Sequence, residues 1–407
     1  MNWFQRLTGF HEVGYEATQR RLRVEDGRLH SLVNGASWSV GTLELPTLAE
    51  LREAEVEGDG PRGRLRVSNV IGDVRWMHLQ PEYEGALFQV ASQFNLLEMV
   101  SPGVTPEDGV SRYEQDLTQG PACAIAAGAA TMYRNYLVPV GGRAGQTRDR
   151  QIDCLAGVGE LLAARLQRPV GSLWQMRNGY ALCSREGLAA IGRYIDTAGP
   201  EAVDALRAAL MIGLHSDVEV TEERAGSPPS VSQAFCSALP VAYGNEPGVA
   251  WAPFATLVLE AAYEATLWAA LANARAGVSD IVLLTRLGGG AFGNADAWID
   301  AAMTRALDLV RDFDLDVRLV SYGSAHPSLI RSSRRSPEQP HPEGMVSDIP
   351  ASCWPPMRLK PPRLQAPFVS LHRRRQVTAA SRACLHRRSS DFNRWLRGTA
   401  KQSDIIV

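Results

Sequence analysis

Three groups of residues have types and spacings that could do chemistry. The first is a glycine cluster, Gly288, Gly289, Gly290 and Gly293, within DIVLLTRLGGGAFGNADAWIDAAMTRALDLV at 280–310. Successive glycines let backbone N–H groups turn toward one point and cradle an anion. A helix starting just after them would add its positive dipole end. A plain strand-to-helix turn would use the same residues, and the missing Lys-Ser/Thr argues against a P-loop. The second group is a run of carboxylates, Glu98, Glu107, Asp108, Glu114 and Asp116. A part-buried carboxylate can activate a water, whereas a solvated loop carries the same residues with no chemistry. The third is Gln119-Gly120-Pro121-Ala122-Cys123 with His215 and Asp217. A cysteine in a helix's first turn has its thiol pKa lowered. Alternation along a strand would put His215 and Asp217 on one face, and Gln119 could donate to an oxyanion. The plainer reading makes Cys123 a small core residue of an alanine-rich helix.

These groups need elements to position them. RLRVSNVIGDV (64–74) predicts a strand ending at Gly72-Asp73, and ALFQVASQFN (86–95) a second, buried on both faces because its alternation is weak. An acidic loop covers 101–117, then GPACAIAAGAATMYRNYL (120–137) predicts a helix with Pro121 in its first turn. Further expectations are a helix near 150–167, strands at 178–184, 211–221 and from 231, and a helix from Pro253 to Ala274. In the glycine unit, Ile281 to Thr285 reads as a strand, Asn294 as a helix N-cap and Asp296 as first-turn negative charge. DVRLVSYG (316–323) is the last strand. Strands alternating with helices predict an α/β sandwich.

Composition sets the bounds. The 407 residues are 45% hydrophobic and 21% charged, ordinary for a globular chain. Residues 324–407 hold 15 Lys and Arg against 5 Asp and Glu, leaving 27 against 39 before them. An acidic body argues against nonspecific nucleic-acid binding. The 324–407 segment has ten prolines and no periodic apolar face, so it reads as a disordered, basic, Pro/Arg-rich tail. The six cysteines form no C-x-x-C pair and fit no zinc spacing, which points to free thiols in a reducing compartment. The start, MNWFQRLTGFHEVGYEATQRR, has no apolar leader core. The most apolar long stretch, Phe254 to Asn273, carries Glu260 and Glu264 and reads as a buried helix rather than a membrane span. The expectation is a soluble cytoplasmic protein.

With the strands placed, VIGDV (70–74), VASQFN (90–95) and LGGGAFGN (287–294), followed by a closing strand, resemble the macrodomain family, including the related poly(ADP-ribose) glycohydrolases. The resemblance spans about 64–323. It implies binding of ADP-ribose or a related NAD-derived nucleotide, alone or on an ADP-ribosylated macromolecule, and for some members hydrolysis of an ADP-ribose linkage. It implies no metal or redox cofactor. Asp73 would accept from the adenine amino group, Asn95 would sit near the distal ribose, and Tyr322 would stack on adenine. Gly288, Gly289, Gly290, Ala291, Phe292 and Gly293, with Asn294 closing the loop, would wrap the diphosphate. Thr118, Gln119 and Gly120, which open the helix after the acidic insert, join the ligand-binding set. Glu98, Glu114 and Asp116 are the candidate catalytic carboxylates, acting on a water that attacks the ribose anomeric carbon.

The chain departs from the pattern in three ways. SQFN replaces the family's NAAN, no glycine run follows Asn95, and the glycohydrolases' Gln-Glu-Glu run is absent. Two rival readings stay open: a noncatalytic interaction protein, and a cysteine hydrolase that resembles the papain-like enzymes in pairing Cys123 with His215. The expected architecture is a three-layer α/β/α sandwich with a mixed, mostly parallel sheet at 64–323. A strand-rich extension at 1–63 packs on it.

Overall fold

The computed structural model describes residues 1–56, 63–222 and 227–324. The expected basic tail therefore lies outside the described residues, apart from Ser324.

Seven strands form one mixed sheet. In chain order they are Thr42–Glu44 (β1), Arg66–Ile71 (β2), Leu87–Ala91 (β3), Gly213–Glu219 (β4), Ser230–Cys236 (β5), Ile281–Leu284 (β6) and Asp316–Ser321 (β7). Their spatial order is β1-β4-β5-β3-β6-β7-β2. The run β5-β3-β6-β7-β2 is parallel throughout. β4 pairs antiparallel with both β5 and β1 at the other edge. Helices cover the sheet on either side. β3 is the central strand, and Leu87, Phe88, Gln89 and Val90 are all buried, as its weak alternation requires.

One face is built around the 28-residue helix Gly248–Arg275, which starts before Pro253. It packs against Leu48–Val56, Arg185–Thr197 and Asp296–Leu309. By length and composition this helix could cross a membrane, but its most apolar stretch is 83% buried inside the fold. Its buried acid Glu264 is neutralised from two sides, by Arg52 at 2.5 Å and Arg305 at 2.5 Å. A buried carboxylate with no such partners would cost several kcal/mol. Arg52 also belongs to the first 63 residues, so that segment is more than an appendage. It supplies edge strand β1 and the helix carrying Arg52. On the other side Trp3, Phe4, Phe10 and Leu29 form a second core with Tyr113, Ile125, Met132 and Tyr136.

Several elements differ from the sequence expectation. The strand predicted over 86–95 ends at Ala91. The helix predicted over 120–137 runs Gln119–Ala126, breaks at Ala127 (φ −110°, ψ 60°), resumes over Gly128–Met132 and ends in a wide turn. The helix near 150–167 begins only at Ala156. The strand expected at 178–184 is outside the sheet; Tyr180–Cys183 forms a hairpin with Trp174–Arg177. Asn178 (φ 49°) and Gly179 (φ 78°) make its two-residue turn, the conformation that favours Asn-Gly in such hairpins.

Candidate functional site

The site originates in a gap in the sheet. β3 and β6 pair only through Leu87 and Phe88, then diverge toward their carboxyl ends. This leaves Gln89 and Ala91 without a strand neighbour on the β6 side. Gln119 fills their hydrogen bonds: its Oε1 accepts from the Ala91 N–H at 2.9 Å, and its Nε2 donates to the Gln89 carbonyl at 2.9 Å. One side-chain amide thus stands in for a strand. A cavity of about 170 Å³ opens above it at the carboxyl edge of β3 and β6, the place where open α/β sheets bind ligands. This volume lies below the roughly 300–1,000 Å³ of whole-ligand pockets. It suits a sugar-sized fragment, with the rest of any larger ligand outside.

One wall follows β3. The chain turns through Leu96 in the left-handed region (φ 63°) and delivers Glu98 to the cavity. The Glu98 backbone N–H donates to the Tyr113 hydroxyl, and the Met99 N–H donates to Gln93 Oε1. Glu98 is buried, and its Oε1 has no hydrogen-bond partner. Burial pushes its carboxyl well above the usual range, Asp116 adds to that, and the Arg134 cation opposes it. A carboxylic acid kept protonated in this way can donate a proton. Gly120 is packed against it: a Cβ there would collide with the Ala91 carbonyl and Glu98 Oε2.

The facing wall is the glycine loop. Gly288, Gly290, Ala291 and Phe292 line the cavity. Gly288 and Gly293 have φ of 70°, which only glycine adopts at little cost. Gly290 faces open space. Phe292 forms an aromatic cluster with Tyr180 (5.2 Å) and Tyr243 (5.8 Å), which also line the cavity. Arg286 is the one cation in the cavity lining among the described residues, and it is held by Asp296 and Asp300.

The structure brings some predicted residues together and separates others. Glu98, Asp116, Thr118, Gln119, Gly120, Gly288, Gly290, Ala291 and Phe292 share the cavity. Glu114 does not; it is exposed and paired with Arg6 at 3.7 Å. Gly289 and Gly293 turn away, toward Ile299 and Ala242. Asn294 is no N-cap, since Ala295 takes that position. Its buried amide instead donates to the Leu239 and Gly288 carbonyls and closes the loop. The first turn of that helix does not reach the cavity lining. Asn95 is fully buried outside the cavity, its amide spent on Gln151 and the Leu97 N–H. Asp73 caps the short helix Val74–Met77 through the Arg75 N–H. Tyr322 is 82% exposed at the end of β7. Asp73 and Tyr322 share the sheet's carboxyl edge with the cavity but do not line it.

The cysteine–histidine reading does not survive this geometry. Cys123 is buried, and burial pushes its thiol well up, so no thiolate forms near neutral pH. His215 Nδ1 faces Arg134 Nη1 at 3.0 Å, and burial together with that cation pushes its pKa well down. A bulge at Asp217 (φ 54°) breaks the alternation, leaving His215 buried and Asp217 exposed. Gln119, the expected oxyanion donor, is committed to β3.

Sequence reasoning missed Ser92, Gln93, Arg286, Tyr180 and Tyr243, all in the cavity wall. Gln93 and Arg286 stand within motifs already noticed, so a closer reading of those motifs could have found them. Tyr180 sits in the misassigned strand, and no local pattern marks it.

No family model matches the chain, and no curated protein matches it. Solved structures do. Poly(ADP-ribose) glycohydrolase from Thermomonospora curvata is 14% identical, with 79% of this chain and 96% of that one covered and a TM-score of 0.37. The Deinococcus radiodurans enzyme in complex with ADP-ribose is 13% identical over 78% of this chain and 94% of that one, with a TM-score of 0.35. The T. curvata enzyme bound to the inhibitor ADP-HPD is 12% identical over 78% and 93%, with a TM-score of 0.33. At such scores the likeness assigns no activity.

Proposed function

We propose that the protein binds ADP-ribose or a related NAD-derived nucleotide along the carboxyl edge of its sheet and hydrolyses an ADP-ribose linkage there. The terminal ribose occupies the cavity between β3 and β6. Backbone N–H groups of the Gly288–Phe292 loop hold the phosphates. The base extends over β7 toward β2, where Asp73 and Tyr322 lie. At about 4.8 Å per strand, β6 to β2 is about 10 Å, so a dinucleotide-sized ligand can bridge the two ends. The acceptor of the ADP-ribose unit, small molecule or macromolecule, stays outside.

The observation that carries the reading is the buried Glu98, its carboxyl pushed well above the usual range by burial and one of its oxygens unpartnered, facing a glycine loop across a sugar-sized cavity. In hydrolysis Glu98 gives its proton to the leaving oxygen as the bond to the anomeric carbon breaks. Water adds to that carbon through an oxocarbenium-like transition state, and its proton returns to the carboxylate. Atoms and charge balance over the cycle.

Calorimetric titration with ADP-ribose tests binding, and release of ADP-ribose from a modified protein tests turnover. Wild type should bind, Gly290→Glu should not, and Glu98→Gln should bind but fail to turn over. No heat at millimolar ADP-ribose overturns the reading. Binding without turnover in wild type would leave the noncatalytic alternative.

A further inference from the structure

Arg134 is fully buried, yet among the described residues no carboxylate is hydrogen-bonded to it. Its guanidinium stacks 3.9 Å over the Phe235 ring. Nε donates to the Leu96 carbonyl at 3.2 Å, Nη2 to Thr131 Oγ1 at 2.9 Å, and Nη1 meets His215 Nδ1 at 3.0 Å. Each partner is neutral: a backbone carbonyl, a hydroxyl and an imidazole that burial keeps unprotonated. A donor at Nη1 requires Nδ1 to be the acceptor, which puts the histidine proton on Nε2. Burial lowers the arginine to about 10, so it remains a cation at neutral pH. A buried cation without a counter-charge is costly. The buried carboxyl within its electrostatic reach is Glu98. Arg134 also bonds Leu96, the left-handed residue whose turn delivers Glu98 to the cavity.

We propose that Arg134 is the positioning residue of the site: from behind the cavity wall it holds the Leu96 turn and supplies the positive charge that lets Glu98 ionise and reprotonate within a turnover. This rests on the acid–base role given to Glu98 above. The other groups around Glu98 cannot take this part. Asp116 opposes its ionisation, Tyr113 bonds its backbone N–H, Cys123 stays a neutral thiol, and Tyr180 spends its hydroxyl on the Met99 carbonyl. His215 faces Arg134 through Nδ1.

The test reads the carboxyl itself, in ligand-free full-length protein, by infrared spectroscopy across pH with Glu98→Gln as the subtraction. Arg134→Met should raise the Glu98 pKa, by about one unit as the scale for removing a nearby opposite charge, because the cation that opposes the effect of burial is gone. The acid–base limb of any pH–rate profile should move with it. Arg134→Lys, which keeps the charge, should leave the Glu98 pKa near wild type. If Arg134→Met does not fold, the reciprocal coupling serves instead. The amine introduced by Arg134→Lys should titrate about one unit lower when Glu98→Gln is added. A Glu98 pKa unmoved in Arg134→Met, or an amine pKa unmoved by Glu98→Gln, overturns the proposal. Because no nucleotide is present, failure to bind ADP-ribose would defeat the functional reading without touching this result.

Discussion

Gly120→Ala adds one methyl group at the tightest point of the site. The new Cβ would fall well inside the roughly 3.5–4.0 Å at which nonbonded heavy atoms rest, against both the Ala91 carbonyl and Glu98 Oε2. The carbonyl belongs to the central strand and cannot yield. The helix Gln119–Ala126 must therefore lift from β3. Two hydrogen bonds stretch as it does, from the Ala91 N–H to Gln119 and from Gln119 to the Gln89 carbonyl. Overpacking in a tight core costs about 1–3 kcal/mol, and each net hydrogen bond about 0.5–1.5 kcal/mol. With partial relaxation the sum is about 2–4 kcal/mol. At about 2.1 cal/mol/K of unfolding entropy per residue, a folded body of this size moves its midpoint by about 1.5 °C per kcal/mol, so melting should fall by roughly 3–6 °C. Urea denaturation should show the same loss at unchanged m-value. The new methyl group would also push Glu98 Oε2 out of register with the glycine loop, so ADP-ribose affinity should drop together with stability. A Gly120→Ala protein within 1 kcal/mol of wild type would refute the packing argument and the account of why glycine is the second residue of this helix.

Further outcomes follow from the same geometry. Glu98 has a folded-state pKa above its unfolded value, so the native state holds the proton longer and stability falls as pH rises from about 4.3, the unfolded value. Glu98→Gln should therefore gain on wild type as pH rises through that window, by about 1.4 kcal/mol for each unit of displacement, and pH-dependent urea midpoints that run parallel would contradict it. Asn294→Ala removes two hydrogen bonds that close the glycine loop, one buried and one part-buried. It should cost about 1–3 kcal/mol and weaken nucleotide binding, read by melting and calorimetry. Cys123 should resist iodoacetamide at pH 7 in native protein and label only on unfolding; rapid native labelling, followed by peptide mass, would restore the thiolate reading.

The two walls of the cavity were half-visible in the sequence. The glycine cluster after an apolar run announces its turn, because glycine adopts the φ of Gly288 and Gly293 at the least cost. Gln119 and Gly120 were picked as the start of a helix, although the reason for them, an amide laced onto β3, depends on a divergence that no local pattern encodes. Asp73 and Asn95 show the opposite failure. Both end strands in the sequence, yet one is spent as a cap and the other as a turn brace, the ordinary local chemistry of Asp and Asn. Glu98 and Arg134 are charged letters in an acidic loop and a broken helix. Their significance is burial, which follows from how the N-terminal aromatic core closes over Tyr113 and Met132. Tyr180 was lost because a four-residue strand looks alike in a sheet and in a hairpin. The Pro253 helix was placed correctly in kind but late in its start.

The Gln119 amide has a consequence for how the molecule breathes. The Ala91 N–H finds its acceptor in a side chain carried by another element rather than in a neighbouring strand. Its exchange with solvent is therefore gated by undocking of the Gln119–Ala126 helix, not by opening of the sheet. Within the central strand, that single amide is a native-state gauge of whether the floor of the cavity is shut. Its protection factor should rise when a ligand bridges Glu98 and the glycine loop, while the amides of β5 and β7 keep the rate of global unfolding.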